Sequence, residues 1–257
     1  MTTLSFSWTM VAMPLMCSAF ITDDGTCEDN VTICNAENRT SLSSEFSLVG
    51  ESKYRAEWST SALLIGNMIG ASVLTHLSDR SGRRPVLIAS LLLLGTLGIL
   101  TALSPTLNMI TFGRFLQGIC SPGVSLVGWV LAFESIPSSL RGFTTFVFGA
   151  TWVLGYCLIA PLAYFTDNWR TLMLASTAPA IVLAILYMLV IPESLHFLIT
   201  SGQKSAAIRW VKTAQSYKCD NRQKILLNEV EQMLACSTKM RESSAEAVAS
   251  KRERQCK

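Results

Sequence analysis

Charge is what this sequence has least of. Only 15% of its 257 residues are Asp, Glu, Lys or Arg, against 50% hydrophobic, and histidine occurs twice, at His76 and His196. Neither histidine stands at metal-ligand spacing from a cysteine, so no metal site is expected. The chain also lacks a Ser/His/Asp set, a phosphate-binding glycine loop and paired carboxylates within an apolar run. An enzyme therefore ranks last among the functions considered, and no cofactor is implied. The net charge of +3 is too small a basic excess to point to nucleic acid. A soluble helical core is disfavoured as well. It needs helices with one polar face, and the third and sixth apolar runs have none.

Long apolar runs are what the sequence has in place of charge. Six stand out: Leu4–Ile21, Trp58–Leu77, Pro85–Leu103, Leu107–Phe133, Phe143–Phe165 and Leu172–Ile191. Each is about the length a helix needs to cross a hydrocarbon core of roughly 30 Å. The second and third are joined only by a short charged stretch, Ser78-Asp79-Arg80-Ser81-Gly82-Arg83-Arg84. They must form an antiparallel hairpin, and its three arginines favour the cytoplasmic side. Loop charge alone ties, with Arg80, Arg83, Arg84 and Arg141 on one side and Arg39, Lys53, Arg55 and Arg170 on the other. Lys204, Arg209 and ten further Lys or Arg residues after Ile191 break the tie. The sequons at Asn30 and Asn38 predict glycosylation of the loop over 22–57, hence an outer position for that loop.

Residues 1–21 admit two readings, a short first span or a cleaved signal peptide ending near Cys17-Ser18-Ala19. The absence of a preceding Lys or Arg favours the span. Cys27 and Cys34 share the outer loop, where oxidation can close a small disulfide loop, the alternative being two free thiols. Cys17, Cys120 and Cys157 lie in spans as packing residues. Cys219, Cys236 and Cys256 fall on the cytosolic side, where thiols stay reduced.

The hairpin spacing Asp79-Arg80-x-Gly82-Arg83-Arg84-Pro85 resembles the loop between the second and third spans of major facilitator transporters. Four further stretches follow at the expected distances. They are Gly113-Arg114-Phe115-Leu116-Gln117-Gly118; Glu134-Ser135-Ile136-Pro137 with Leu140-Arg141-Gly142; Asn168-Trp169-Arg170-Thr171-Leu172; and Pro192-Glu193-Ser194 with Ser201-Gly202-Gln203. Together with Glu45-Phe46-Ser47-Leu48-Val49, they make roughly residues 45 to 215 similar to the solute-carrier family of organic cation, carnitine and organic anion transporters. The resemblance implies an all-α membrane protein, the six-transmembrane-helix N-terminal half of a major facilitator fold, built as two three-helix repeats. Residues 1–191 would form that half and 192–257 a cytoplasmic helical tail. Family members carry twelve spans and this chain shows six, so a second half or a homodimer is the implied partner, beside the lipid bilayer and a small organic ion.

The resemblance also implies that the first and fourth spans line the pathway, while the third and sixth lie outside. The fourth has one polar face, with Arg114, Gln117, Ser121 and Ser125 at steps of three or four. Such a face must meet protein or a water-filled cavity. Arg114 is either a buried coupling cation or an arginine snorkelling to the outer interface. Trp129, Trp152 and Tyr156 offer aromatic walls for an organic ion, or plain packing. Asp79 lies near a helix C-terminus, where the dipole disfavours an acid, so it needs compensation. By resemblance, Asp79, Arg80, Gly82, Arg83, Arg84, Glu134, Arg141 and Glu193 form a cytoplasmic gate. Thr75 and Leu195-His196-Phe197 depart from the family pattern. The tail predicts helices over Ala206–Ala214 and Ile225–Leu234, then a solvated end. Three functions remain in order: alternating-access transport of organic ions at the plasma membrane; a non-conducting half that binds partner transporters; and a sugar-porter-like facilitator.

Overall fold

The six apolar runs become six long helices. The computed structural model describes residues 2–22, 41–46, 48, 54–134, 136 and 141–191. Among them the elements are α1 (Thr2–Thr22), α2 (Leu42–Glu45), α3 (Tyr54–Ser81), α4 (Arg83–Ala102), α5 (Leu107–Glu134), α6 (Arg141–Phe165) and α7 (Trp169–Val190). All but α2 are long and apolar enough to span a membrane. Several extend past the apolar run at a charged end, as α3 does through Arg55 and Glu57. Backbone hydrogen bonding carries the helix on past the apolar run. The predicted tail helices, Glu193, Asn30, Asn38, Cys27 and Cys34 lie outside the described residues.

The first run is a span of the bundle. α1 packs on α5, α6 and α7, with Ala12 and Cys17 fully buried. A single residue, Gly82, separates α3 from α4. It takes φ 102° and ψ 153°, a conformation open to glycine and strained for any residue with a Cβ. Its amide closes the end of α3 on the Ser78 carbonyl at 3.0 Å. In this way the hairpin reverses with no loop at all. Pro85 falls in the first turn of α4, where no intrahelical donor is lost.

Contacts between helices repeat in a two-fold pattern. α3 packs chiefly on α5, and α6 packs chiefly on α1. α1 meets α5, and α4 meets α7, along their lengths. Exchanging α1 with α5, α3 with α6 and α4 with α7 reproduces the pattern, which is that of two three-helix repeats. Small residues allow the closest approaches. A Cβ on Gly66 would stand 2.2 Å from the Phe115 carbonyl oxygen, and one on Gly70 2.1 Å from that of Ile119. Gly118 faces the Leu63 carbonyl as tightly, and Gly95 and Gly98 of α4 meet Ile181 and Thr177 of α7.

Two apolar clusters fill the bundle. One, around Leu87, Leu91, Val124, Phe148 and Tyr187, lies toward the Gly82 end. The other, around Met13, Ile21, Ile110, Leu172 and Met173, lies toward α2. The charge pattern above predicts the Gly82 end to be the cytoplasmic one and the α2 end the outer one, and the two ends are named accordingly below. Exposed Leu93, Leu100, Val182 and Leu189 give α4 and α7 an apolar outer face, suited to lipid rather than water.

Candidate functional site

A polar layer separates the two apolar clusters. α5 contributes Arg114 and Gln117, and α7 contributes Ser176 and Thr177, all buried. The α7 hydroxyls are satisfied locally, both donating to the Met173 carbonyl at 2.9 and 2.8 Å. Arg114 reaches across instead. Its Nη1 donates to the Pro14 carbonyl of α1 at 2.9 Å, and only 3% of the residue is exposed. Cys17 stands beside it, one turn along α1. The guanidinium therefore turns inward onto α1 rather than outward to the interface. On the insertion scale an arginine at mid-membrane costs about 2.5–3.5 kcal/mol. A charge-assisted bond of about 1.5–3 kcal/mol offsets much of that.

Gln117, one turn along, has no such partner. It is 0% exposed, and both side-chain amide atoms lack a hydrogen bond among the described residues. Ser121 and Ser125 donate back along α5, to Gln117 and Ser121 carbonyls at 2.9 and 3.1 Å. Arg114, Gln117 and Ser121 are covered by neighbouring helices within these six spans, while Ser125 is half-buried. The polar face of the fourth span thus meets protein from its own half.

Aromatic residues converge below this layer, toward the cytoplasmic end. Trp8 of α1 stacks on Trp129 of α5 with centroids 5.2 Å apart, and Trp129 stacks on Phe133 at 4.5 Å. Phe148 of α6 meets Trp8 and Trp129 edge-on at 5.3 and 5.1 Å. Trp152 completes the group edge-on to Trp8 at 5.6 Å, and Tyr156 follows at 5.5 Å. Polar bonds set the register: Trp8 Nε1 donates to the Ser125 carbonyl at 3.0 Å, and Thr9 donates to the Thr151 carbonyl at 2.8 Å. Phe148 is the fully buried base, and the other five rings are half-buried. Three of the six rings, Trp8, Phe133 and Phe148, escaped the sequence reading. The available signal was the four-residue step of 129/133 and of 148/152/156.

At the cytoplasmic end, Arg83 bridges two acids. It meets Glu134 of α5 at 3.1 Å and Asp79 of α3 at 3.3 Å. Arg83 and Glu134 have side chains only 13% and 19% exposed, while that of Asp79 is 59% exposed. Asp79 so gains the compensation its place near a helix C-terminus demands. Arg84 reaches a backbone group of another helix: its Nη2 donates to the Met188 carbonyl of α7 at 2.6 Å. Arg80 and Arg141 are exposed. Thr75 points outward, its hydroxyl bonded to the Ala71 carbonyl at 2.6 Å.

A fourth cluster, at the outer end, joins two of the motif segments. Glu45 of α2 accepts from Arg170 at 2.6 Å and from Trp169 Nε1 at 2.7 Å. Arg170 Nη1 also donates to the Ala102 and Ser104 carbonyls at 2.7 and 3.0 Å. The Arg170 hydrogen bond, aided by that of Trp169, holds the Glu45 carboxyl below the usual carboxylate range despite partial burial. Two apolar grooves, between the outer ends of α3 and α5 and between α1 and α7, share no residue with these clusters.

Comparison with known proteins agrees with this geometry. The profile of the sugar (and other) transporter family matches residues 10–255. A putative transporter of Caenorhabditis elegans is 34% identical over 83% of this chain and 42% of its own length. Organic anion transporter 3 of Oryctolagus cuniculus is 34% identical over 75% of this chain and 36% of its own. The organic cation transporter protein of Drosophila melanogaster is 34% identical over 66% and 31%. The chain thus spans less than half the length of these relatives. Among solved structures, the proton:xylose symporter XylE bound to 6-bromo-6-deoxy-D-glucose matches with a TM-score of 0.68 at 18% identity, over 92% of this chain and 53% of that one. An integral, multi-pass chain with the N-terminal-half architecture of a major facilitator protein, matched along nearly all its length by one profile, belongs to the sugar (and other) transporter family of that superfamily.

Proposed function

We propose that this chain forms half of a transporter that moves small organic ions by alternating access. The carrying observation is the half-buried aromatic cluster of Trp8, Trp129, Trp152 and Tyr156 at the meeting of α1, α5 and α6. It offers π faces and no fixed charge, which suits a flat organic group that keeps its own charge solvated or paired elsewhere. The relatives named as organic anion and organic cation transporters support this substrate class without choosing the sign. Asp79, Arg83 and Glu134 act as a cytoplasmic gate in this scheme. The pair to Asp79, whose side chain is 59% exposed, contributes only about 0–1 kcal/mol, which suits a contact that must open.

One observation favours a sugar instead. Gln117 is a buried amide without a partner among the described residues, the kind of group that recognises hydroxyls. The test is uptake into liposomes of the purified protein, with labelled organic cations, organic anions, carnitine and hexoses compared. Saturable uptake of an organic ion by the self-associated chain and not by its monomer, reduced by Trp129→Ala and Trp152→Ala, is the expected result. Uptake confined to hexoses would replace this proposal with the sugar reading. Alternating access rocks one six-helix half against another. Transport by a demonstrably monomeric 257-residue chain would therefore overturn the mechanism.

A further inference from the structure

We propose that Arg84 and Arg170 are a symmetry-related pair of reciprocal helix caps that fasten α4 and α7 into one rigid strut, with Arg170 also holding the outer-loop helix α2 to it. α4 and α7 occupy equivalent places in the two repeats and run antiparallel, so each end of the strut brings the start of one helix beside the end of the other. Arg84 is the second residue of α4 and Arg170 the second residue of α7. At the cytoplasmic end Arg84 donates to the Met188 carbonyl in the last turn of α7. At the outer end Arg170 donates to the Ala102 and Ser104 carbonyls, where α4 finishes.

The chemistry fits the place. The last carbonyls of a helix have no intrahelical donor and carry the negative end of the dipole. A guanidinium supplies several fixed donors and a charge of the right sign. Neither arginine sits in the last turn of the helix it serves, so each cap is also an interhelical bond. Between the two ends, Gly95 and Gly98 bring α4 against Ile181 and Thr177, so the strut is close-packed in the middle and capped at both ends.

Arg170 also holds a carboxylate. Its Nη2 and Nε take the Glu45 carboxylate at 2.6 and 3.3 Å while Nη1 serves α4. Leu42, fully buried, and Leu48 seat the same segment in the outer apolar cluster beside Ala102 and Trp169. The segment around α2 therefore moves with the strut.

Hydrogen exchange of the full chain in lipid nanodiscs tests this, because it reads each end separately. Arg170→Gln should speed exchange about tenfold in residues 42–48 and 101–104, the factor corresponding to about 1.4 kcal/mol. Glu45→Gln should speed only 42–48. Arg84→Gln should speed 187–191 and leave the outer end as in the wild type. If a Gln variant does not fold, the Arg→Lys variant replaces it. A lysine ammonium lacks the planar fork, so Arg170→Lys should lose protection at 42–48 or at 101–104. Wild-type exchange at the named segments, or a uniform rise across all spans, would overturn the proposal.

Discussion

Replacing Gln117 by methionine should stabilise the six-span bundle. The perturbation keeps the length and unbranched shape of the side chain and removes its amide. In the structure that amide is fully buried with neither oxygen nor nitrogen paired among the described residues. A buried polar group left unpaired costs about 1–3 kcal/mol, and an apolar group of the same shape escapes that cost. Some of the gain is lost to imperfect repacking around the thioether. A net gain of about 1–2 kcal/mol remains, which for a unit of this size raises Tm by about 2–8 °C. The assay is thermal unfolding of the purified chain in one detergent, followed by size-exclusion chromatography of the heated samples. The same substitution should reduce uptake in the liposome assay, because a group retained at a stability cost is retained for a partner met in another state. A lower Tm for Gln117→Met would show that the amide is already bonded and refute the reasoning. A higher Tm with unchanged uptake would leave the stability account standing and refute the functional one.

Three other outcomes are expected. Gly70→Ala should abolish monodisperse, folded protein on size-exclusion chromatography, because its Cβ would fall 2.1 Å from the Ile119 carbonyl oxygen and neither backbone can yield. Gly149→Ala, with nothing within 4 Å, should be neutral or slightly stabilising in the same assay. The Glu45–Arg170 pair should stabilise at neutral pH. A carboxyl whose folded pKa lies below its unfolded one contributes above the unfolded value and loses that contribution as pH falls through the folded one. The stability difference between wild type and Glu45→Gln, about 0–1 kcal/mol for a part-exposed pair and read from the shift in Tm, should hold steady from pH 8 to 5 and vanish only below the usual carboxylate range. A tag following Lys257 should be cytoplasmic, and Asn30 or Asn38 should carry a glycan removable by an endoglycosidase. An unglycosylated chain with its tag accessible from outside intact cells would reverse the predicted orientation.

Much of the architecture was legible along the chain. All six spans appear where the apolar runs lie, because satisfying backbone polar groups in hydrocarbon is a local requirement that a window of about twenty residues reveals. The Asp79-to-Pro85 hairpin was equally plain, down to the glycine at its turn. The polar face of the fourth span was legible too, but not what covers it. Arg114 and Gln117 are screened by neighbouring helices of the same half. The residues of the outer cluster were visible as motifs, Glu45 in one and Trp169-Arg170 in another, without any sign that they touch.

What the sequence by itself determined is the number, length and antiparallel order of the helices, since hydropathy and charge act residue by residue. Only the tertiary structure decided which side chain meets which. Arg84 and Arg83 are neighbours of the same type, yet one bridges two carboxylates and the other caps α7. The difference arises from their directions around one helix, about 100° apart per residue, and from where the neighbouring helices stand. Their targets divide in the same way. A carboxylate is written in the sequence, but the carbonyls of Met188, Ala102 and Pro14 are backbone groups that every residue carries. A bond to such a group leaves no trace in the chain until packing brings one particular carbonyl within 3 Å of a donor.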